Sequence, residues 1–171
     1  MLSTTGHIFS LQISRGGVPK LPIRTAVVSE LGLDGDKQRD RRHHGGPERA
    51  LCLFSLEEIV KLQAEGHPIF PGSTGENVTV AGMDWAALDL GACLQLGDDV
   101  LIQISSYTVP CSNIADSFQD GEFKRISQKL HPGESRLYAR VLRGGTLLVG
   151  QPVRLVEAPP LARPDNELLR Y

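Results

Sequence analysis

The chain has 171 residues, 40% hydrophobic and 22% charged, the make-up of one ordinary globular domain with room for a real core. A net charge of −2 gives no global basic field, so neither nucleic acid nor an anionic membrane is an expected partner, and no apolar run is long enough to span a bilayer. Cys52, Cys93 and Cys111 are odd in number and form no C-x-x-C pair, so a disulfide framework or a cysteine zinc knuckle is not expected and a reducing, cytoplasmic setting is. The opening residues Met1 to His7 lack a basic segment followed by an apolar one, so no signal peptide is expected there.

In chain order, Phe9, Leu11 and Ile13 alternate, as do Ile23, Thr25 and Val27. Both runs read as strands. A glycine-rich, cationic loop follows: Gly32-Leu33-Asp34-Gly35-Asp36, then Lys37, Arg39, Arg41, Arg42, His43, His44, Gly45 and Gly46. Glycines let backbone N–H groups approach a ligand, and arginine grips a phosphate with a two-pronged fork. The loop therefore suits an anion, although a solvated charged loop has the same composition. The paired histidines lack the further ligands that a zinc site needs.

Leu51 to Phe54 is apolar on both faces and reads as a buried strand. Ser55-Leu56-Glu57-Glu58 is a capping box, opening a helix through Ile59, Val60 and Leu62 that Gly66 and Pro68 end. Gly72-Ser73-Thr74-Gly75-Glu76-Asn77 then leads into a strand. Its glycines can bare N–H groups to an anion, and the Asn77 amide offers a donor and an acceptor to the edge of a heterocycle. Many loops of this composition are only turns. Leu94 and Leu96 run into Gly97-Asp98, and the strand from Asp99 returns as a hairpin.

That returning strand, Val100 to Ser105, heads toward Val109-Pro110-Cys111, where proline stops the ladder. Ser112 and Asn113 are good helix caps, with Ile114 and Ala115 continuing a short helix. A thiol at a strand end, near helix-start N–H groups, is fixed in place and biased toward the thiolate that attacks electrophiles or ligates soft metals. A buried core cysteine is the plainer alternative. Cys52 and Cys93 lie in apolar strands and read as packing residues. Phe123, Ile126 and Leu130 follow helical spacing, and Leu137, Ala139 and Val141 alternate into Gly144-Gly145. Strands at Thr146 to Leu148 and Val153 to Leu155 then close the sheet. Eight or so strands with a few short α-helices predict a mainly β, barrel-like fold with a mixed sheet. One domain is expected over residues 1–157, followed by a proline-containing tail over 158–171.

Taken together, Gly32-Leu33-x-Gly35-Asp36, His44-Gly45-Gly46, Gly72-x-x-Gly75-Glu76-Asn77 and Pro110-Cys111, in this order and spacing, resemble the MOSC family, the C-terminal domain of molybdenum cofactor sulfurases that also occurs as stand-alone bacterial proteins. Gly144-Gly145, Gly150 and Val153 are similar to its C-terminal hairpin, and the likeness covers roughly residues 20 to 156. The resemblance implies a β-rich barrel binding the molybdenum cofactor, a pterin with a dithiolene and a terminal phosphate. Cys111 would ligate molybdenum or carry sulfur, and Asn77 with Gly75, Glu76 and the step at Pro110 would hold the pterin side. Arg41, Arg42, His44, Gly45 and Gly46 are the residues the sequence itself offers to the phosphate. Many members carry an arginine two residues before the Pro-Cys step, where this chain has Thr108. Pyridoxal phosphate is not expected.

Three classes of function follow from that resemblance. The first is a reductase of N-hydroxylated compounds, such as hydroxylaminopurine bases, that needs separate electron-donor proteins. The second is a sulfur carrier or cofactor-maturation protein using a Cys111 persulfide. The third is a barrel that binds something else without the cofactor.

Overall fold

A computed structural model describes residues 3–37 and 45–160. Its strands are β1 (Thr5–Ile13), β2 (Leu21–Ile23), β3 (Thr25–Ser29), β4 (Gly32–Leu33), β5 (Leu51–Ser55), β6 (Val78–Ala81), β7 (Cys93–Leu96), β8 (Val100–Tyr107), β9 (Leu137–Arg143), β10 (Gly145–Leu148) and β11 (Pro152–Val156). Seven of them close a barrel in the order β1-β11-β7-β8-β9-β5-β6 and back to β1, with β2 added beside β1. Every barrel pairing is antiparallel except β5 with β6, so the sheet is mixed as expected. Parallel neighbours need a crossover, and α1 (Leu56–Ala64) supplies it. The Ser55 hydroxyl caps α1 by accepting from the Glu58 N–H at 3.3 Å, while Ile59 and Leu62 anchor it to the core.

The core is mostly aliphatic, with Phe54, Trp85 and Phe118 among its buried side chains. Leu51 and Leu53 of β5 face Ala139 and Leu137 of β9 across the ladder, and all four are buried. The intervening pair, Cys52 and Tyr138, lies on the opposite face of the same two strands, because side chains alternate along a strand. That second face matters for the site.

Three expectations need correction. The run from Ile23 to Val27 is not one strand: it breaks at Arg24, sending β2 to the barrel and β3 to a second sheet of order β10-β3-β4. The strands expected at Thr146 to Leu148 and Val153 to Leu155 do not both close the barrel, since β10 leaves to pair with β3 and β11 alone makes the closure. Lastly, the helical spacing at Phe123 to Leu130 is not an α-helix. The stretch between β8 and β9 holds 3-10 turns at Ser112–Ser117, Gln119–Gly121 and Phe123–Ile126; positive φ at Asp120 and Gly121 separates the last two, and the extended backbone of Ser127 ends the last. Arg125 secures this stretch by pairing with Glu65 at 2.7 Å and with Glu134 at 2.5 Å.

Candidate functional site

A cavity of about 260 Å³ opens where the loop after β1, the Gly72–Asn77 loop, the Pro110-Cys111 step and the start of β9 converge. Cys111 lines it and is half-buried. The thiol follows the end of β8 as the sequence predicts, but the helix behind it is only a six-residue 3-10 turn without a side-chain cap. Gly75 and Asn77 also line the cavity. Glu76, Pro110, Gly45 and Gly46 do not: Glu76 is fully buried behind the wall, and the two glycines lead into the 3-10 turn Pro47–Arg49. Arg41, Arg42 and His44 lie outside the described residues, although Lys37, just ahead of them, is on the cavity wall.

The wall is held by a buried polar network that the sequence does not announce. The Lys20 ammonium donates to both Asp36 oxygens, at 2.7 and 2.6 Å, and both side chains are nearly inaccessible. Asp36 also accepts from the Ser14 N–H at 2.9 Å and from the Asn77 amide at 2.9 Å. Asn77 is thus engaged within the fold. Its Oδ1 accepts from the Cys52 N–H at 3.1 Å, and its Nδ2 reaches the Gln12 carbonyl at 3.3 Å as well as Asp36. The amide organises the cavity wall, and its donors and acceptor are taken by Gln12, Asp36 and Cys52. Of the glycine-rich cationic loop expected over Gly32 to Gly46, the opening part is structural, with Gly32 and Leu33 forming β4 and Asp36 closing the ion pair.

Glu76 braces the neighbouring loop. One oxygen accepts from the Gly72 N–H at 2.6 Å and the other from the Thr74 hydroxyl at 2.7 Å. Burial pushes its carboxyl pKa up, opposed by those two hydrogen bonds and by the more distant Arg136 charge. Gly72 has φ of 88°, and a Cβ there would run into the Lys20 carbonyl, so only glycine lets the two loops approach this closely.

The lining also includes Lys20, Cys52, Arg136 and Tyr138, which the sequence does not mark as ligand-facing. Cys52 is 6% exposed, and burial raises its thiol pKa, with Arg136 pulling the other way. Its Sγ lies 3.9 Å from the Thr108 hydroxyl. Tyr138, opposite it, is also shifted up by burial, with the Arg49 guanidinium stacked 5.4 Å above its ring. Arg136 is 6% exposed and donates to the Thr74 carbonyl from Nη1. The signal for Arg136 was its parity. It alternates with Leu137, which places it on the same face of the chain as Tyr138, but nothing in the sequence marks that face as a cavity. Cys93, by contrast, is 1% exposed within β7 and packs as expected.

Chemically, the cavity offers one accessible thiol, a second buried thiol, a neutralised lysine, an arginine and the exposed Lys37 at its rim. Among the described residues no group of three or more His, Cys, Asp or Glu side chains could hold a metal ion. No helix among them is long and apolar enough to cross a membrane.

Comparison with known proteins agrees with this architecture. The MOSC domain model matches residues 40–154. YflK of Bacillus subtilis (strain 168) is 30% identical over 142 residues, covering 82% of this chain and 63% of its own length. A protein named reductase from Gibberella moniliformis (strain M3125 / FGSC 7600) is 28% identical over 135 residues, which is 77% of this chain but 24% of that protein. The crystal structure of YiiM from Geobacillus stearothermophilus superposes with a TM-score of 0.71 at 28% identity, over 89% of this chain and 75% of that one. The chain therefore spans less than two thirds of the length of YflK and about a quarter of the fungal reductase.

Proposed function

Because this chain belongs to the MOSC family, we propose that it binds the molybdenum cofactor and serves as the reductase component for N-hydroxylated compounds, with Cys111 as the protein ligand of the metal. The observation that carries this reading is the half-buried Cys111 thiol, set on a cavity whose wall also holds the Arg136 cation. A single thiolate is a sufficient protein anchor for a soft metal that arrives with a dithiolene of its own, so the donor set fits the group. The cavity of about 260 Å³ is at the small end for a whole ligand, and it fits one end of an extended cofactor. The rest of such a molecule would pass Lys37 toward Arg41, Arg42, His44, Gly45 and Gly46, our candidates for its phosphate.

When bound, the cofactor would supply the electron transfer that cleaves an N–O bond. Overall an N-hydroxylated compound takes two electrons and two protons to give the amine and water, and the electrons come from separate donor proteins. The chain's own contribution is positional. Cys111 fixes the metal end, the network of Asn77, Asp36 and Lys20 holds the wall rigid, and the Gly72–Asn77 loop, braced by Glu76, shapes the opening. The low-identity likeness to a protein named reductase supports this choice of chemistry. A cytoplasmic setting, where free thiols persist, suits it.

The accessibility of Cys111 also favours a second reading, in which it accepts a sulfur atom from a donor persulfide and carries it as a persulfide of its own. One experiment separates them. Protein from a molybdenum-replete host is analysed for metal, extractable pterin and cyanide-labile sulfur, alongside Cys111→Ser. The reductase reading expects molybdenum and pterin in the wild type, loss of molybdenum in the folded variant, and no labile sulfur. Wild-type protein without molybdenum overturns it, and labile sulfur on Cys111 in that protein establishes the carrier.

A further inference from the structure

The cavity contains a cation that the described residues leave without a counter-charge. Lys20 is closed onto Asp36. Arg136 is as deeply buried, yet no carboxylate among the described residues lies within ion-pair distance of it. Of the five N–H donors on a guanidinium, one, on Nη1, meets an acceptor, the Thr74 carbonyl, while Nε is buried without a partner. Glu76 cannot finish the job, because its two oxygens are taken by Gly72 and Thr74. A buried cation with donors to spare is costly unless a ligand completes it.

Arg136 is also fixed relative to Cys111. The Thr108 N–H donates to the Arg136 carbonyl at 3.0 Å, joining the end of β8 to the start of β9. Three residues beyond Thr108 the chain reaches Cys111, on the wall of the same cavity. The Thr74 contact holds the guanidinium from the other side. Thiol and guanidinium are therefore presented to one volume by a single pair of strand ends.

We propose that Arg136 is the oxyanion-binding residue of the Cys111 cavity, taking a compact phosphate or carboxylate group beside the thiol. This deepens the ligand-site reading given above and rests on it, but it does not require the ligand to be the molybdenum cofactor. A phosphate ester and a carboxylate on a bound substrate share this chemistry. Lys37 contributes from the exposed rim, where water screens its charge. Arg136 acts from within, where a fork of donors is worth most.

The test uses full-length protein from a molybdenum-depleted host. Cys111 is alkylated with iodoacetate, an anion, and with iodoacetamide, its neutral analogue, and modification is read at the Cys111 peptide by mass spectrometry. A binding guanidinium gathers the anionic reagent, so the iodoacetate-to-iodoacetamide rate ratio should exceed that of a free cysteine peptide by about fivefold or more. Folded Arg136→Gln should lose that excess, and Arg136→Lys should keep part of it. Inorganic phosphate and acetate are then added as protectants of the wild type. Protection by phosphate alone supports an oxyanion site for a phosphate ester, and protection by acetate as well supports one for a carboxylate. A wild-type ratio equal to that of the free peptide with no protection by either anion overturns the proposal, whatever the variants' folding. An unchanged ratio in folded Arg136→Gln overturns it too. Metal analysis stays independent: phosphate protection in protein that never loads molybdenum keeps Arg136 and removes the cofactor, and equal ratios in protein that does load it do the reverse.

Discussion

Lys20 and Asp36 meet in a buried bidentate contact of 2.7 and 2.6 Å that joins the loop after β1 to the segment after β4. The pair is also the foundation of the cavity wall, since Asp36 takes the Asn77 amide and the Ser14 N–H as well. Asp36→Ala should destabilise the protein by about 3–5 kcal/mol, because it strands a buried ammonium. A double variant, Lys20→Met with Asp36→Leu, should regain much of that loss, since two apolar groups need no counter-charge. Urea midpoints of the three variants check this. An Asp36→Ala midpoint equal to wild type would mean that the pair contributes nothing.

Glu76 links stability to pH. Burial raises its folded pKa above the ordinary value near 4.5, so the folded state holds the proton more tightly than the unfolded chain does. Its contribution to stability is then fully present below about pH 4.5 and is lost as pH rises through the folded pKa. Glu76→Gln removes the titration, so the variant should lose less stability than wild type between pH 5 and pH 8. Denaturation midpoints at those two values measure the difference. Equal slopes in both proteins would place the linkage elsewhere.

The three thiols should separate by reactivity. Burial raises the pKa of Cys52 and of Cys93, and both are nearly inaccessible, whereas Cys111 is half-exposed on the cavity. In metal-free protein, neutral alkylating reagents should modify Cys111 faster than either by about tenfold or more, because the other two thiols are shielded from reagent. Peptide mass mapping over time gives the order. Equal rates at Cys52 and Cys111 would show that the cavity wall opens in solution.

The sequence carried the barrel in its local patterns. The Gly97 hairpin, the Ser55 cap and the alternation in β8 each follow from nearby residues, and each is where the pattern puts it. What local pattern does not encode is which strand pairs with which. The switch of sheet at Arg24 and the departure of β10 to β3 depend on partners far along the chain, which no local pattern names. The site divides in the same way. Cys111 announces itself through the proline beside it. Arg136 shows its role only once the Thr74 carbonyl and the Thr108 N–H arrive from remote segments. Asn77 and Glu76 were singled out for the right loop, but their side chains turn out to brace it from within. A sequence shows that a loop has polar groups and cannot show which of them the protein itself will use.

The seam that closes the barrel joins Thr5, Gly6 and His7 to Arg154, Val153 and Pro152. On its other side β11 pairs with β7. The last strand is therefore the keystone between the first strand and the middle of the chain. A nascent polypeptide cannot complete this ring until residues 152–156 have emerged from the ribosome. Until then β1 and β7 each bare part of an unpaired edge, the kind that recruits other chains. A topology whose decisive contact joins strands so far apart along the chain folds slowly, because the long loop must be closed before the contact rewards it.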